Sequence, residues 1–161
     1  VLYALYFLLV VISLLLFDNI KLRSRIRTDA MTSAVTRTVF ESTLVRWRKS
    51  KSKFAVIYID CDGFKRVNDA YGHKAGDHVL YAVVEFLKEI VRPSDMVARL
   101  GGDEFAILLR DCKSVQLVVE RIQVFKYIGV TLSCGWATSD EYDPLTLADT
   151  RMYEAKRASY Q

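Results

Sequence analysis

Cysteine is scarce in this chain and follows no pattern. Cys61, Cys112 and Cys134 are the three present. They are too few for a disulfide framework, odd in number, and without the spacing of metal ligands. No internal repeat or low-complexity run appears. A basic stripe with interleaved aromatics is also missing, so the formal net charge of +4 does not point to nucleic acid. Charge itself is absent from residues 1–17, where a single Ser interrupts an apolar run.

That run predicts a helix. At 1.5 Å per residue it spans about 25 Å, close to the roughly 30 Å of a bilayer's hydrocarbon core. The chain starts at Val rather than Met, which leaves room for a helix that begins further upstream. A secretory signal carries its positive charge before the apolar segment, whereas here Lys21, Arg23, Arg25 and Arg27 follow it. The positive-inside rule then puts residue 18 onward in the cytoplasm of a membrane-anchored protein. A buried core helix is the alternative, but a helix apolar on every face suits lipid better. Residues 18–28 read as a juxtamembrane connector, with too few apolar positions for a heptad. Its cations could equally rest on anionic headgroups.

The remaining 133 or so residues (29–161) are enough for one domain with its own core. Thr28 or Asp29 is expected to cap a helix over 34–47, whose face of Val35, Val39, Phe40, Leu44 and Trp47 is apolar. A buried strand follows at 54–60, then a short helix at 64–70 and a turn at Tyr71-Gly72-His73. The strongest helical pattern runs over 77–91 and stops at Pro93. Further elements are a hairpin over 96–109, a helix at 115–125, a strand at 128–136 and a terminal helix at 144–158. This order predicts an α+β sandwich, one sheet with helices packed mainly on one face.

The hairpin carries the chemistry. Two apolar runs flank Gly101-Gly102-Asp103-Glu104, which reads as a turn at the glycines followed at once by two carboxylates. Bare glycines let an anionic ligand approach the backbone, and carboxylates can hold a metal beside it. Taken alone, the tetrapeptide is more simply a surface hairpin with two solvated acids. A second acidic strand end, Asp60-Cys61-Asp62, changes that balance: if the strands are neighbours, Asp60 and Asp103 converge.

With these stretches, Gly63-Phe64-Lys65-Arg66-Val67-Asn68-Asp69, Gly72-His73, Gly76-Asp77, Leu80 and Arg99 through Phe105, the chain resembles the GGDEF family, the diguanylate cyclases, over roughly residues 29–158. The resemblance implies the palm-like nucleotidyl-cyclase fold, with a central, mostly antiparallel sheet and packed helices. It also implies condensation of two GTP into cyclic di-GMP across a homodimer at the bacterial inner membrane, and no nucleic-acid partner. Mg²⁺, or Mn²⁺ in its place, would be held by Asp60, the Cys61 carbonyl and Asp103. Asp103 would also accept the proton, with Glu104 a second metal contact and Lys65 stabilising the transition state. Gly63, Phe64, Gly101, Gly102 and Lys156 would meet the phosphates, and Asn68 and Asp77 the guanine. Arg92 and Asp95 match the family's inhibitory product site.

Three departures stand out. Ser33, Ala34 and Thr36 replace the family's Gly, Leu and Asn after Asp29, which is expected to loosen a turn. Residues 123–129 are short, so a peripheral strand is expected to be missing. Tyr160 replaces a cation in the C-terminal stretch. These changes leave a second reading open, a catalytically silent domain that binds GTP or cyclic di-GMP and signals through contacts.

Overall fold

The structure, a computed structural model, describes residues 27–158 together with positions 3, 6, 8 and 10–13, which are helical. Most of the expected membrane span at 1–17 and nearly all of the connector at 18–28 lie outside the described residues, as does Tyr160. Among the described residues no helix is long and apolar enough to cross a membrane.

Five strands form one sheet in the order β1-β3-β4-β2-β5. They are β1 (Val35–Thr36), β2 (Ala55–Asp62), β3 (Met96–Arg99), β4 (Glu104–Leu109) and β5 (Thr131–Thr138). The sheet is mixed: β2–β4, β2–β5 and β3–β4 pair antiparallel, whereas the two-residue β1 runs parallel to β3. Central β2 is buried on both faces from Ala55 to Ile59, which explains why its sequence is apolar almost throughout.

Helices cover both faces, which corrects the expectation of one. Alternation along the strands sorts their side chains to two cores. Ile57, Ile59, Phe105, Ile107 and Leu109 face α2 (Phe64–Tyr71), α3 (His73–Ile90) and α4 (Val115–Ile122). Val56, Tyr58, Ala106, Leu108 and Ala137 face α1 (Arg37–Lys49) and α5 (Pro144–Ala158). The apolar stripe of α1 was legible, but a stripe does not say which face of a sheet it covers.

Two boundaries moved for physical reasons. Helix α3 starts at His73, one turn before the periodic pattern, because Gly76 sits inside it. A glycine normally weakens a helix interior, but a Cβ at Gly76 would collide with Asn68 Oδ1 and press on Phe64. Gly76 is the close-approach point of α2 and α3. Gly72 alone links the two helices, with φ 80°. Between α4 and β5 the described residues hold no strand, only an isolated bridge in which Tyr127 and Val130 exchange both backbone hydrogen bonds (3.0 and 2.8 Å). Ile128 (φ 48°) and Gly129 (φ 78°) form its left-handed centre. The strand expected from residue 128 therefore begins only at Thr131, after this tight turn.

Gly135 of β5 lies directly under α5. A Cβ there would strike the backbone of Ala148, Arg151 and Met152. Backbone cannot yield as a flexible side chain can, so Gly135→Ala is expected to cost about 3 kcal/mol by overpacking. Chemical denaturation of the variant should show this as a lower midpoint with the slope retained.

Candidate active site

The end of β2 and the β3–β4 turn meet as the sequence suggested. Asp60 stands opposite Glu104 of β4 and Ser133 of β5. Beyond the last ladder pair, Cys61 N–H donates to the Asp103 carbonyl at 3.2 Å, which ties the hairpin tip to the strand end. The turn is closed by the Glu104 carbonyl, which accepts from Leu100 N (2.8 Å) and Gly101 N (3.4 Å). Neither Gly101 nor Gly102 needs a left-handed backbone; the positive-φ glycines among the described residues are Gly63, Gly72 and Gly129. Their value is space. A Cβ at Gly101 would lie 2.6 Å from Glu104 Oε2, so this glycine makes room for a carboxylate of the chain itself. At Gly102 a Cβ would meet nothing within 4 Å, so that face is open to a ligand.

Arg99 braces the turn from below, a role the sequence did not reveal. Its Nε and Nη2 donate to the Gly102 carbonyl (3.1 and 2.7 Å), its Nε also to the Gly101 carbonyl (3.1 Å), and its Nη1 to Asp29 Oδ1 (3.2 Å). Asp29 is therefore not a helix cap. The same Oδ1 accepts from Thr32 N (2.9 Å) and Thr32 Oγ1 (2.7 Å), forming a side-chain-closed turn well before α1 begins. These hydrogen bonds and the Arg99 charge hold the Asp29 carboxyl below its usual range, against its partial burial, which opposes them.

One hollow gathers Cys61, Gly63, Phe64, Lys65, Arg66, Asp103 and Lys156. Gly63 is left-handed (φ 79°) and turns the chain from β2 into α2. No side chain caps that helix and no acid sits in its first turn, so its first N–H groups remain available to phosphate. Lys65 is exposed at its mouth. Arg66, which the sequence reading passed over, folds back so that a Cβ at Gly63 would come within 2.8 Å of its guanidinium. Lys156, on α5 and 96 residues away, reaches across to Asp60 Oδ1 and stands 3.8 Å from Asp62 Oδ1. Both carboxylates point toward α5, while Cys61 between them points into the opposite core. Burial first, then the three neighbouring aspartates, push its thiol far up, so it is an inert core residue.

The acids crowd one another. Burial and the Asp60 charge raise the Asp103 carboxyl above its usual range, even with Lys156 and Arg99 opposing. Tyr58, one step back along β2, is pushed up to about 12 by burial and by the Glu104 and Asp149 charges. Among the described residues no three His, Cys, Asp or Glu side chains converge to hold a metal unaided. Two carboxylates and a carbonyl with open positions nevertheless fit a hard divalent cation that completes its shell with water and phosphate oxygens. Asp60, the Cys61 carbonyl and Asp103 would hold it.

Asn68 and Asp77 come from adjoining helices, α2 and α3. Asn68 rests against Gly76, the residue before Asp77. Asp77 opens on a second, largely apolar hollow with Met31, His78, Tyr81, Ala82 and Tyr127. Arg92 and Asp95 lie at the other end of the sheet, before β3, in a hollow with Ser33, Lys88 and Met96. Asp95 is already engaged: Oδ2 accepts from Arg92 N and Oδ1 from Arg110 N, both at 3.0 Å. Lys88 and Arg92 are the cations that face this hollow.

The family model described as diguanylate cyclase, GGDEF domain matches residues 26–161. The diguanylate cyclase TpbB of Pseudomonas aeruginosa (strain UCBPP-PA14) is 44% identical over 163 residues, covering 87% of this chain and 37% of the relative. A solved structure of TpbB from Pseudomonas aeruginosa comprising only the GGDEF domain superposes with TM-score 0.69 at 34% identity, covering 81% and 89% of the two chains. The GGDEF domain of DgcB from Caulobacter crescentus in complex with c-di-GMP gives TM-score 0.68 at 25% identity, covering 83% and 91%. The chain spans about a third of the length of curated relatives such as TpbB and the probable diguanylate cyclase DgcT of Escherichia coli.

The Ser33 substitution noted in the sequence has a measurable consequence. Ser33 adopts φ 57°, a left-handed backbone that costs a non-glycine residue about 1 kcal/mol. Its exposed hydrogen bond from Lys88 Nζ (2.7 Å) offsets little of that. Ser33→Gly is expected to raise stability by about 0.5 kcal/mol after the extra chain entropy of glycine, read as a higher melting temperature.

Proposed function

The chain belongs to the diguanylate cyclase GGDEF-domain family, and we propose that it condenses two GTP into cyclic di-GMP with release of two pyrophosphates. The observation that carries this reading is the single hollow in which Asp103, Lys65, Lys156 and the free N-terminus of α2 meet beside Asp60. It combines an anion cradle, two lysine cations and hard oxygen ligands at one strand end, the set that nucleotidyl transfer requires.

In the proposed reaction the 3′-hydroxyl of one GTP attacks the α-phosphate of the other, and the same step from the second side closes the ring. Backbone N–H groups of Gly63 to Lys65 cradle the terminal phosphates. Lys65 faces charge that develops at the transferring phosphoryl group, and Lys156 meets the triphosphate. Asp103 takes the hydroxyl proton. Glu104, packed over Gly101, holds the tip in shape and adds negative charge near the metal ligands. Asp77 accepts from the guanine N1–H and N2–H₂ edge and Asn68 adds a donor, so adenine would leave these groups unpaired. Bound Mg²⁺, or Mn²⁺, would neutralise phosphate charge and make the hydroxyl easier to deprotonate.

One domain presents one GTP, so the reaction calls for a homodimer with facing hairpins. Residues 1–17 would anchor it in the bacterial inner membrane with the catalytic domain on the cytoplasmic side. Confinement to that surface raises the effective concentration of the two half-sites.

Incubation of the purified chain with GTP and Mg²⁺, followed by chromatography for cyclic di-GMP, tests the activity. Product is expected, and Asp103→Asn should lower its rate by about 100-fold or more. Nucleotide binding with no product at any protein concentration would instead establish the silent receptor.

Product feedback is proposed at Arg92 and Asp95. The c-di-GMP-bound DgcB domain supports the ligand class. With Asp95 fixing its own turn, most of the attraction for an anionic product falls to Arg92 and Lys88. Arg92→Ala is expected to leave the initial rate nearly unchanged and to raise, about tenfold, the product concentration that halves it. Identical inhibition curves for the two proteins would remove this site.

A further inference from the structure

Three carboxylate oxygens at the end of β2 have defined surroundings, and one of them has no hydrogen-bond donor. Asp62 Oδ2 accepts from Ser133 Oγ (2.7 Å) and Thr131 Oγ1 (3.4 Å), both on neighbouring β5. Asp62 Oδ1 is buried and receives no hydrogen bond. Its nearest cationic neighbour is Lys156 Nζ at 3.8 Å, and that ammonium is hydrogen-bonded to Asp60 Oδ1 instead. A buried acceptor left without a donor costs about 1–3 kcal/mol. One ammonium therefore stands between two carboxylates on the same side of the strand and hydrogen-bonds only one of them.

Resting on the cyclase reading, we propose that Asp62 is a positioning residue that receives Lys156 when a divalent cation takes Asp60. Like charges exclude each other, so Lys156 and the cation compete for Asp60 Oδ1. Asp62 Oδ1 lies within a short side-chain rotation and gains the hydrogen bond it lacks. Ser133 and Thr131 fix Asp62 from the far side, so this carboxylate stays while the lysine moves. The transfer leaves Lys156 in the phosphate hollow with its charge intact, beside the cradle at Gly63 to Lys65. It also explains a local rule of spacing. Positions 60 and 62 project to the same face of β2, so the pattern Asp-x-Asp supplies one carboxylate for the cation and one for the lysine.

The test is a double-mutant cycle read by Mn²⁺ binding to the chain without nucleotide, following free Mn²⁺ by electron paramagnetic resonance. Removing the competitor, Lys156→Met should tighten Mn²⁺ binding by about fivefold or more. Removing the receiving charge, Asp62→Asn should weaken it about fivefold in the parent, because Lys156 then stays on Asp60. In the Lys156→Met background Asp62→Asn should change it by less than about 1.5-fold, since no lysine remains to move. Simple charge counting predicts the same Asp62→Asn loss in both backgrounds, and that result overturns the proposal. If Asp62→Asn fails to fold by circular dichroism, Lys156→Met alone decides: no tightening overturns it. The outcome is separable from the activity. A chain that makes cyclic di-GMP without this coupling loses the lysine transfer and keeps the cyclase, whereas coupling without product keeps the transfer and loses the cyclase.

Discussion

Mutual repulsion of carboxylates at one edge of an apolar sheet governs the rest of this structure. Asp60 and Glu104 stand opposite each other on paired strands, and Asp103 is tied to the same place by the Cys61–Asp103 backbone bond. Like charges directly opposed across a ladder destabilise it. The fold answers with cations from a distance. Lys156 arrives from the last helix onto Asp60, and Arg99 holds the turn carbonyls beneath the tip. Burial first, and the Asp60 charge second, raise the Asp103 carboxyl even so.

How much of this could be read from the residues differs by element. Strand β2 and the hairpin were legible because each follows a simple pattern: an unbroken apolar run, and two runs about a glycine turn. Asp60, Cys61 and Asp103 as candidate metal ligands, and Gly63 to Lys65 as a candidate phosphate cradle, were legible only through the family resemblance; the hollow gathers Cys61, Gly63, Phe64, Lys65 and Asp103. Roles that depend on atoms far apart in the chain were not. Nothing local links Arg99 to Asp29 across 70 positions, and nothing in Asp29-Ala30-Met31-Thr32 separates a closed turn from a helix cap. Helix placement on the two faces was missed for the same reason. A helix's own stripe shows that it is buried, while the side it takes is set by the connections between strands.

The glycines carry a second lesson. Gly101 and Gly102 invite an argument from turn flexibility, yet neither uses a left-handed backbone. They remove Cβ atoms where a carboxylate of the chain and an open ligand face need space. Conformational freedom is used elsewhere, at Gly63 and Gly72, which turn the chain into α2 and then into α3. Where the chain needs such a residue and lacks one, at Ser33 and Ile128, the backbone takes the left-handed state anyway and stores strain. Both positions adjoin residues that reach the site: the Asp29 turn that Ser33 closes holds Arg99, and the Gly129 carbonyl would stand 3.4 Å from a Cβ at Gly63.

Gly135 connects packing to chemistry most directly. Helix α5 runs antiparallel to β5 and lies with Ala148 and Met152 against that glycine. Four residues further along the helix, about 6 Å, comes Lys156 on the same stripe. Two residues back along the strand, about 6.7 Å, comes Ser133, the partner of Asp60 in the ladder. The two advances nearly match, so close backbone contact at Gly135 delivers the Lys156 ammonium onto the end of β2. The stripe Ala148, Met152, Lys156 looks apolar until its last member. A lysine in that position marks where the core stops and the charged edge begins. A side chain at Gly135 would lift α5 and withdraw the lysine from both carboxylates, coupling the packing of one face of the sheet to the electrostatics of the site.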